Sequence, residues 1–279
     1  MKNAFIVFCS PAGSTGHVAK VIADFLKKKA IAVNLLDLGG GDDPSRLIGL
    51  LKSAGPTDGL FVGSPVYREI AVPPVVAFLD DLPTASGCMA VPFVTWGGAN
   101  SGIALWQMGQ ILRNKGYALA GAAKVLGVHS MMWQSDRPVG QGHPDSDDDR
   151  QVCNMVEKVV ERIAKTTPES IPLATLDYQP ETVGADAKKK LNQPWVIVPK
   201  TIDEEACTQC GICETVCPVG AISMDPGPVF SERCFDCFNC IRECPEGVIE
   251  PAVPLDKVEV MIRKRVETFN ERPPTQIFT

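Results

Sequence analysis

The chain has 279 residues, of which 45 % are hydrophobic and 22 % charged, an ordinary composition for a globular protein of two domains. Its formal net charge of −6 is uneven, because residues 201–250 carry ten acidic residues and only two arginines. That acidity argues against a nucleic-acid partner, whose phosphates attract Lys and Arg. No apolar run reaches the roughly 18 residues of a membrane span.

Residues 1–165 alternate short apolar runs with longer amphipathic ones, which predicts βαβ units and a parallel sheet covered on both faces. The apolar run at the N-terminus has no small-residue cleavage site, so we interpret it as the first strand. A cytoplasmic location, where thiols stay reduced, is therefore expected. The predicted strands are 3–9, 30–38, 59–64, 90–96 and 120–128, and the predicted helices lie near 15–29, 44–54, 73–81, 101–115 and 146–165.

Five strands in about 165 residues match the flavodoxin-like doubly wound α/β fold, a five-stranded parallel sheet of order 2-1-3-4-5. Residues 1–165 are therefore predicted to form that domain. Residues 166–199, with scattered prolines and no clear periodicity, are predicted to be a linker. A small cysteine-rich domain follows at 200–250, and 251–279 are predicted to form a C-terminal helix, LDKVEVMIRKRVETF, and a tail.

The cysteine-rich segment is an internal repeat: residues 206–223 (ACTQCGICETVCPVGAIS) align with residues 233–250 (RCFDCFNCIRECPEGVIE). The spacing C-x2-C-x2-C-x3-C-P is typical of bacterial iron–sulfur domains, in which the fourth cysteine ligates the partner cluster when two clusters are present. We assign four cysteines to each of two [4Fe-4S] clusters on this basis. The first set is Cys207, Cys210, Cys213 and Cys244, and the second is Cys234, Cys237, Cys240 and Cys217.

Clustered cysteines also form disulfides or bind zinc. A disulfide framework would suit an exported protein, but no export signal is predicted. Zinc sites commonly use paired C-x2-C knuckles separated by a longer loop, not triplets. The duplicated triplet with its proline favours iron and sulfide, and it resembles the two-[4Fe-4S] ferredoxin module, a small α+β domain.

The first predicted strand ends at the first residue of CSPAGSTGHVAK, residues 9–20, which includes a turn and the start of the first predicted helix. A turn of small residues there presents backbone N–H groups to an anion, and Ser10, Ser14 and Thr15 add hydroxyl groups. The loop has neither the Gly-Lys-Ser/Thr of a Walker A motif nor G-x-G-x-x-G. Such turns also cap helices without binding a ligand, so the loop alone leaves both interpretations open.

The loop Ser10–Thr15 resembles the phosphate loop of flavodoxins, which implies that it binds the phosphate of FMN. Ala12 departs from that family's usual Thr or Ser. GSPVYREIAVPP (63–74) and TWGGANSG (95–102) follow the third and fourth predicted strands, where the family holds the isoalloxazine ring. The FMN residues that the resemblance implies are Ser10, Ala12, Gly13, Ser14, Thr15, Ser64, Pro65, Val66, Tyr67, Thr95, Trp96, Gly97 and Gly98.

Within these loops, Tyr67 and Trp96 are candidates to contact the ring, or alternatively pack as core beneath their own loops. Gly97 and Gly98 remove side chains where a flat ligand approaches the backbone. The two halves together resemble the flavodoxin–ferredoxin fusion proteins of anaerobic microbes. The resemblance covers residues 1–165 and 200–250 and implies FMN and two [4Fe-4S] clusters on one chain.

The function predicted first is electron transfer between FMN and the two clusters, linking one-electron and two-electron partners. The second is an FMN-dependent reductase of a small acceptor or corrinoid protein, with residues 129–149 as a lid. The third is a metal-held scaffold with a degenerate flavin pocket. The acidic segment suits redox partner proteins with a basic docking surface, or serves solubility alone. The sequence leaves a homodimer open.

Overall fold

A parallel sheet forms the centre of the N-terminal domain in the computed structural model, which describes residues 1–41 and 43–279. Its parallel strands run in the order β2-β1-β3-β5-β7, which confirms the predicted order 2-1-3-4-5. Short strands β4 and β6 pair with β3 and β5. The strands are β1 (Asn3–Phe8), β2 (Ala32–Asp37), β3 (Asp58–Tyr67), β4 (Ile70–Ala71), β5 (Met89–Trp96), β6 (Ala118–Leu119) and β7 (Ala122–Leu126).

Helices cover both faces of the sheet, because successive side chains along a strand point to opposite faces. In β1, Phe5 and Val7 join one apolar layer with α2, α3 and α4, whereas Ile6 and Phe8 join the other with α1 and α5. Strands buried on both faces read as continuous apolar runs, as these do. The helices are α1 (Ser14–Lys28), α2 (Ser45–Leu51), α3 (Pro73–Asp80), α4 (Ala104–Asn114) and α5 (Ser146–Ile163).

The predicted linker, residues 166–199, lies against the N-terminal domain. The backbone N–H of Ile171 donates to the carbonyl of Leu119 at 2.9 Å. A 3₁₀ turn, Leu173–Leu176, approaches Gly109 of α4 so closely that a Cβ there would contact leucine side chains at about 3 Å. Helix α6 (Glu181–Lys190) follows the turn. This segment is therefore ordered along the first domain rather than a free tether.

Residues 200–251 form a small module of two antiparallel strand pairs, β8 with β11 and β9 with β10. Its interior contains Cys213 and Cys240 beside apolar side chains such as Ile222 and Phe238. The module is thus the predicted α+β domain. Its elements are β8 (Lys200–Ile202), α7 (Ile212–Thr215), β9 (Ile222–Met224), β10 (Pro228–Phe230), α8 (Asn239–Arg242) and β11 (Ile249–Pro251).

After the module the chain returns to the N-terminal domain. Helix α9 (Leu255–Phe269) is the predicted C-terminal helix, and β12 (Gln276–Phe278), which the sequence pattern did not predict, pairs antiparallel with β7 at the edge of the sheet. Beside it, the fully buried Lys124 pairs with Glu271 at 2.6 Å. The tail is therefore part of the first domain's structure. No helix among the described residues combines the length and the apolar character needed to cross a bilayer.

Candidate cofactor site

A cavity of about 550 Å³ lies at the carboxyl ends of the strands, between the N-terminal domain and the module. Open parallel sheets bind ligands at this edge because the loops there converge. All three loops of the predicted FMN site contribute to its wall. The predicted FMN residues that line it are Ala12, Ser14, Thr15, Pro65, Val66, Tyr67, Thr95, Trp96 and Gly97.

Four other predicted FMN residues do not line the cavity, and two of them, Ser10 and Ser64, hold its loops by hydrogen bonds. The hydroxyl of Ser10 accepts the backbone N–H of Gly16 at 2.7 Å. Ser64, fully buried, donates to the carbonyl of Pro65 at 2.7 Å and accepts the N–H of Val72 at 3.0 Å. The remaining two are Gly13 and Gly98, both with positive φ, at 90° and 79°.

The phosphate end of the predicted site is the start of α1. The first N–H groups of any helix lack partners within the helix. Here Gly13 precedes the first turn and no side chain caps it from that position. Ser14 and Thr15 of that turn line the cavity, and the Thr15 hydroxyl hydrogen-bonds that of Thr95 at 2.7 Å. These donors suit an anionic phosphate, stabilised by the helix dipole.

The ring end is lined by Tyr67, Trp96 and Gly97. Burial, together with the charge of Cys237, raises the pKa of Tyr67, whose ring centroid lies 6.0 Å from that of Phe235 in the module. The indole N–H of Trp96 donates to the carbonyl of Pro274 at 2.7 Å. Trp96 therefore borders the cavity while its polar edge is bound to the C-terminal tail.

The loop after β7 also lines the cavity, although the sequence analysis assigned it no cofactor contact. A Cβ on Gly97 would meet His129 at 2.7 Å, so the imidazole occupies the space that the glycine leaves. Burial, and to a lesser extent Arg265, lowers the pKa of His129 to about 4. The imidazole is therefore neutral near pH 7. The loop residues concerned are Gly127, Val128, His129, Ser130 and Met131.

Further lining residues come from the linker, the module, α9 and the turn after β3. The rule that ligands bind at the carboxyl ends of strands would have found the loop after β7. No sequence signal marks the linker residues, because their position depends on how the module docks. These further residues are Arg68, Trp195, Val196, Val198, Phe235, Asp236, Phe238 and Ile262.

The eight cysteines of the repeat fall into two groups in space. In the inner group, next to the large cavity, burial raises the pKa of Cys237 and Cys240 to about 12, and the charges of neighbouring cysteines of this group add to the effect. The members are Cys217, Cys234, Cys237 and Cys240. The first repeat thus contributes its fourth cysteine, Cys217, to the group of the second repeat.

The outer group lines a second, small cavity within the module, and its members are Cys207, Cys210, Cys213 and Cys244. Cys210 is exposed and Cys213 is buried. The structure thus brings Cys217 to the inner group and Cys244 to the outer group, and the ligation of a cluster by each group stays a prediction. Four thiols are a soft donor set that suits Fe–S clusters or zinc rather than Mg²⁺ or Ca²⁺.

The inner group and the large cavity are adjacent. Phe235, Asp236 and Phe238 lie between cysteines of the inner group in the sequence, and all three line the cavity. The module is also bound directly to the phosphate loop, because the Arg242 guanidinium donates to the carbonyl of Pro11 at 2.9 Å. A ligand in the cavity would therefore contact the segment that carries the inner cysteines.

Comparisons with known proteins found one family match and a set of similar solved structures. A model of the 4Fe-4S binding domain matches residues 200–223, the first repeat and its preceding strand. No curated protein matches the chain. Among solved structures, rubredoxin oxygen:oxidoreductase from the anaerobe Desulfovibrio gigas is 19 % identical, with a TM-score of 0.48, over 58 % of this chain and 36 % of that one. The chain thus spans about a third of that protein.

Two similar structures are flavodoxins. One, from the domain Archaea, is 18 % identical over 58 % of this chain and 99 % of its own, with a TM-score of 0.45. Flavodoxin 1 from Bacillus cereus is 16 % identical over 57 % of this chain and 98 % of its own, also with a TM-score of 0.45.

The strand order and the 4Fe-4S match describe the two parts of the chain. A doubly wound parallel sheet of order 2-1-3-4-5, the order of the flavodoxin-like fold, is followed by a module whose first repeat matches a 4Fe-4S binding domain.

Proposed function

We propose that this chain passes electrons between an FMN held in the large cavity and two [4Fe-4S] clusters held by the module. The proposal rests on residues that the inner group and the cavity share. Phe235, Asp236 and Phe238 lie between inner-group cysteines in the sequence, and they also line the cavity formed by the predicted FMN loops. A flavin exchanges two electrons and each cluster exchanges one, so the protein links two-electron and one-electron partners.

The residues of the chain have separate tasks in this proposal. The first turn of α1, with Thr15 and Thr95, binds the phosphate, and Pro65, Val66 and Gly97 bound the ring. The inner cysteines hold the cluster nearer the flavin, and the outer cysteines hold the second. Since Cys210 of the outer group is exposed, electrons are exchanged with partner proteins at the outer cluster. The acidic surface of the module suits a basic partner, in the cytoplasm of an anaerobic cell.

Reconstitution of the full chain under anaerobic conditions tests the proposal. We expect one FMN and about eight iron and eight sulfide per chain. Stepwise reduction should bleach the flavin and cluster absorbance in the same sample, and stopped-flow mixing should show that reduced clusters pass electrons to oxidised flavin at a rate independent of protein concentration. Zinc in place of iron, or absence of flavin from folded protein, would contradict the proposal.

A matched variant separates the flavin from the clusters. Ser14→Asp places a carboxylate in the first turn of α1, where it repels phosphate but favours the helix dipole. We expect loss of FMN with full retention of iron. Turnover of a small quinone by the intact protein would instead identify an FMN-dependent reductase, the second function predicted from the sequence.

A further inference from the structure

The two cysteine groups arise from one repeat, but their surroundings differ in charge. Beside the inner group lies Lys200, at the start of β8, whose side chain is 1 % exposed. Its ammonium group contacts the Cys234 sulfur at 3.5 Å, Asp236 Oδ1 at 2.8 Å and the carbonyl oxygen of Val198 at 3.0 Å. A buried cation therefore lies within hydrogen-bond reach of a predicted cluster ligand.

Aromatic rings enclose this ammonium group. The rings of Phe230 and Phe238 have their centroids 5.6 and 5.4 Å from Nζ, within the range of cation–π contacts. The Asp236 carboxylate, with its oxygen 2.8 Å from Nζ, supplies the counter-charge that a buried ammonium group needs.

The outer group has the opposite surroundings. The described residues that line its cavity include no basic side chain, and one of them is acidic, Glu246. In the outer group, the Cys213 thiol donates a weak hydrogen bond to the uncharged thioether sulfur of Met224 at 3.7 Å. The inner group thus lies beside a buried lysine–aspartate pair, whereas the outer group lies beside a thioether and an exposed carboxylate, Glu246.

A cluster gains one negative charge when it accepts an electron. Hydrogen bonds to cluster sulfur and nearby positive charge stabilise that reduced state and raise the reduction potential, whereas burial and negative charge lower it. The inner group is the more buried one, so without compensation its cluster would be the harder of the two to reduce. Lys200 supplies the compensation, and Asp236, whose Oδ1 lies 3.9 Å from the Cys234 sulfur, opposes it in part.

We propose that Lys200 is a positioning residue that holds the reduction potential of the inner cluster above that of the outer cluster. This inference rests on the proposed function, because it requires both clusters. Its consequence is that an electron accepted at the exposed outer cluster comes to rest on the inner one, beside the flavin cavity.

Two variants of opposite charge effect test the inference. Lys200→Met leaves Asp236 unpaired and should lower the inner potential, shifting the redox equilibrium at least tenfold, or about 59 mV for one electron. Asp236→Asn leaves Lys200 unpaired and should raise it. Arg233→Met is the matched control, because it removes one positive charge from the exposed surface of the same module. Its effect should be much smaller.

The measurement is a potentiometric titration of the reconstituted full chain, followed by electron paramagnetic resonance of each reduced cluster. Cys210→Ser, at the exposed ligand of the outer group, identifies the outer signal. Lys200→Arg keeps the charge and should preserve the wild-type order of potentials. Iron content is measured for every variant.

Opposite shifts in Lys200→Met and Asp236→Asn, with the outer potential constant, support the inference, since a merely structural role would not reverse sign. Shifts of the same sign, or none, overturn it. If Lys200→Met does not retain iron, Asp236→Asn is the deciding variant. An inner-cluster potential that does not rise in Asp236→Asn overturns the inference. A wild-type protein with one cluster or none overturns the proposed function instead, before any variant is measured.

Discussion

The two domains have interiors of different kinds. The N-terminal domain has an apolar layer on each face of its sheet, built by side chains from five strands and five helices. The module of residues 200–251 has a small interior in which Cys213 and Cys240 stand among a few apolar side chains. Domains of about 50 residues bury so little surface that their stability is marginal, and a bound metal is one common support. The difference indicates that apolar burial supplies most of the stability of the first domain, whereas the module depends on bound metal.

Iron removal from the full chain is the strongest test of this difference between the two domains. We expect the module to lose its structure, because its cysteines bind metal instead of packing as an apolar core. Metal binding then supplies the free energy of folding. Hydrogen exchange read by mass spectrometry should show full exchange in peptides of 200–251 and continued protection in β1, β3 and β5. Reloading with iron and sulfide is the control. Protection of the module without iron would contradict the expectation.

The buried ion pair between Lys124 and Glu271 provides a test of the stability of the N-terminal domain. Lys124→Met leaves Glu271 without its cation, and breaking such a pair costs about 3–5 kcal/mol of unfolding free energy. Urea unfolding followed by circular dichroism measures the loss. Lys29→Met is the matched control, because the Lys29–Glu157 pair is exposed and its loss costs less than about 1 kcal/mol. Equal losses in the two variants would refute this account of Lys124.

A pH effect follows from His129, whose pKa falls from 6.5 to about 4 on folding. The unfolded chain binds this proton below pH 6.5 and the folded chain does not until about pH 4. The contribution of His129 to the free energy of unfolding is therefore complete above pH 6.5. It falls towards pH 4, by at most about 3 kcal/mol. Unfolding titrations at several pH values measure the slope. His129→Gln should remove this part of it, and an unchanged slope would show that another group is responsible.

The smallest expected effect concerns the contact between the two domains. Arg242→Gln removes the hydrogen bond to the carbonyl of Pro11 and should loosen the phosphate loop by about 1 kcal/mol. Faster hydrogen exchange in peptides covering 9–16 would report it. Arg233→Gln is the control, because Arg233 bonds to Gly220 within the module. Identical exchange in both variants would show that the Arg242 contact does not hold the loop.

The sequence predicted what depends on local patterns. Five apolar runs with helices between them were sufficient for the strand order of the sheet. A helix is predicted near residues 146–165, and in the structure Asp145 caps α5, accepting the N–H groups of Asp147 and Asp148 at 2.8 and 3.0 Å. The spacing of the cysteines predicts the two groups, and the structure brings the same sulfurs together.

The sequence did not predict what depends on distant contacts. Strand β12 has three residues after two prolines, and its partner β7 is about 150 residues earlier. Trp195 carries no pattern that would place it at the cavity, because its position requires the linker and the module to be docked. Trp96 was predicted to contact the ring, and the bond of its indole N–H to Pro274 arises only once the tail is in place.

The return of the tail to the sheet has a consequence for the path of the electrons. The chain leaves the first domain through an ordered linker and comes back to it at β12, so the module is tethered at both ends to one body. A doubly tethered module does not swing away on a flexible arm. Under the proposed function, the gap that an electron crosses between the large cavity and the inner cysteines is then a fixed dimension of each molecule, the same in dilute and in concentrated solution.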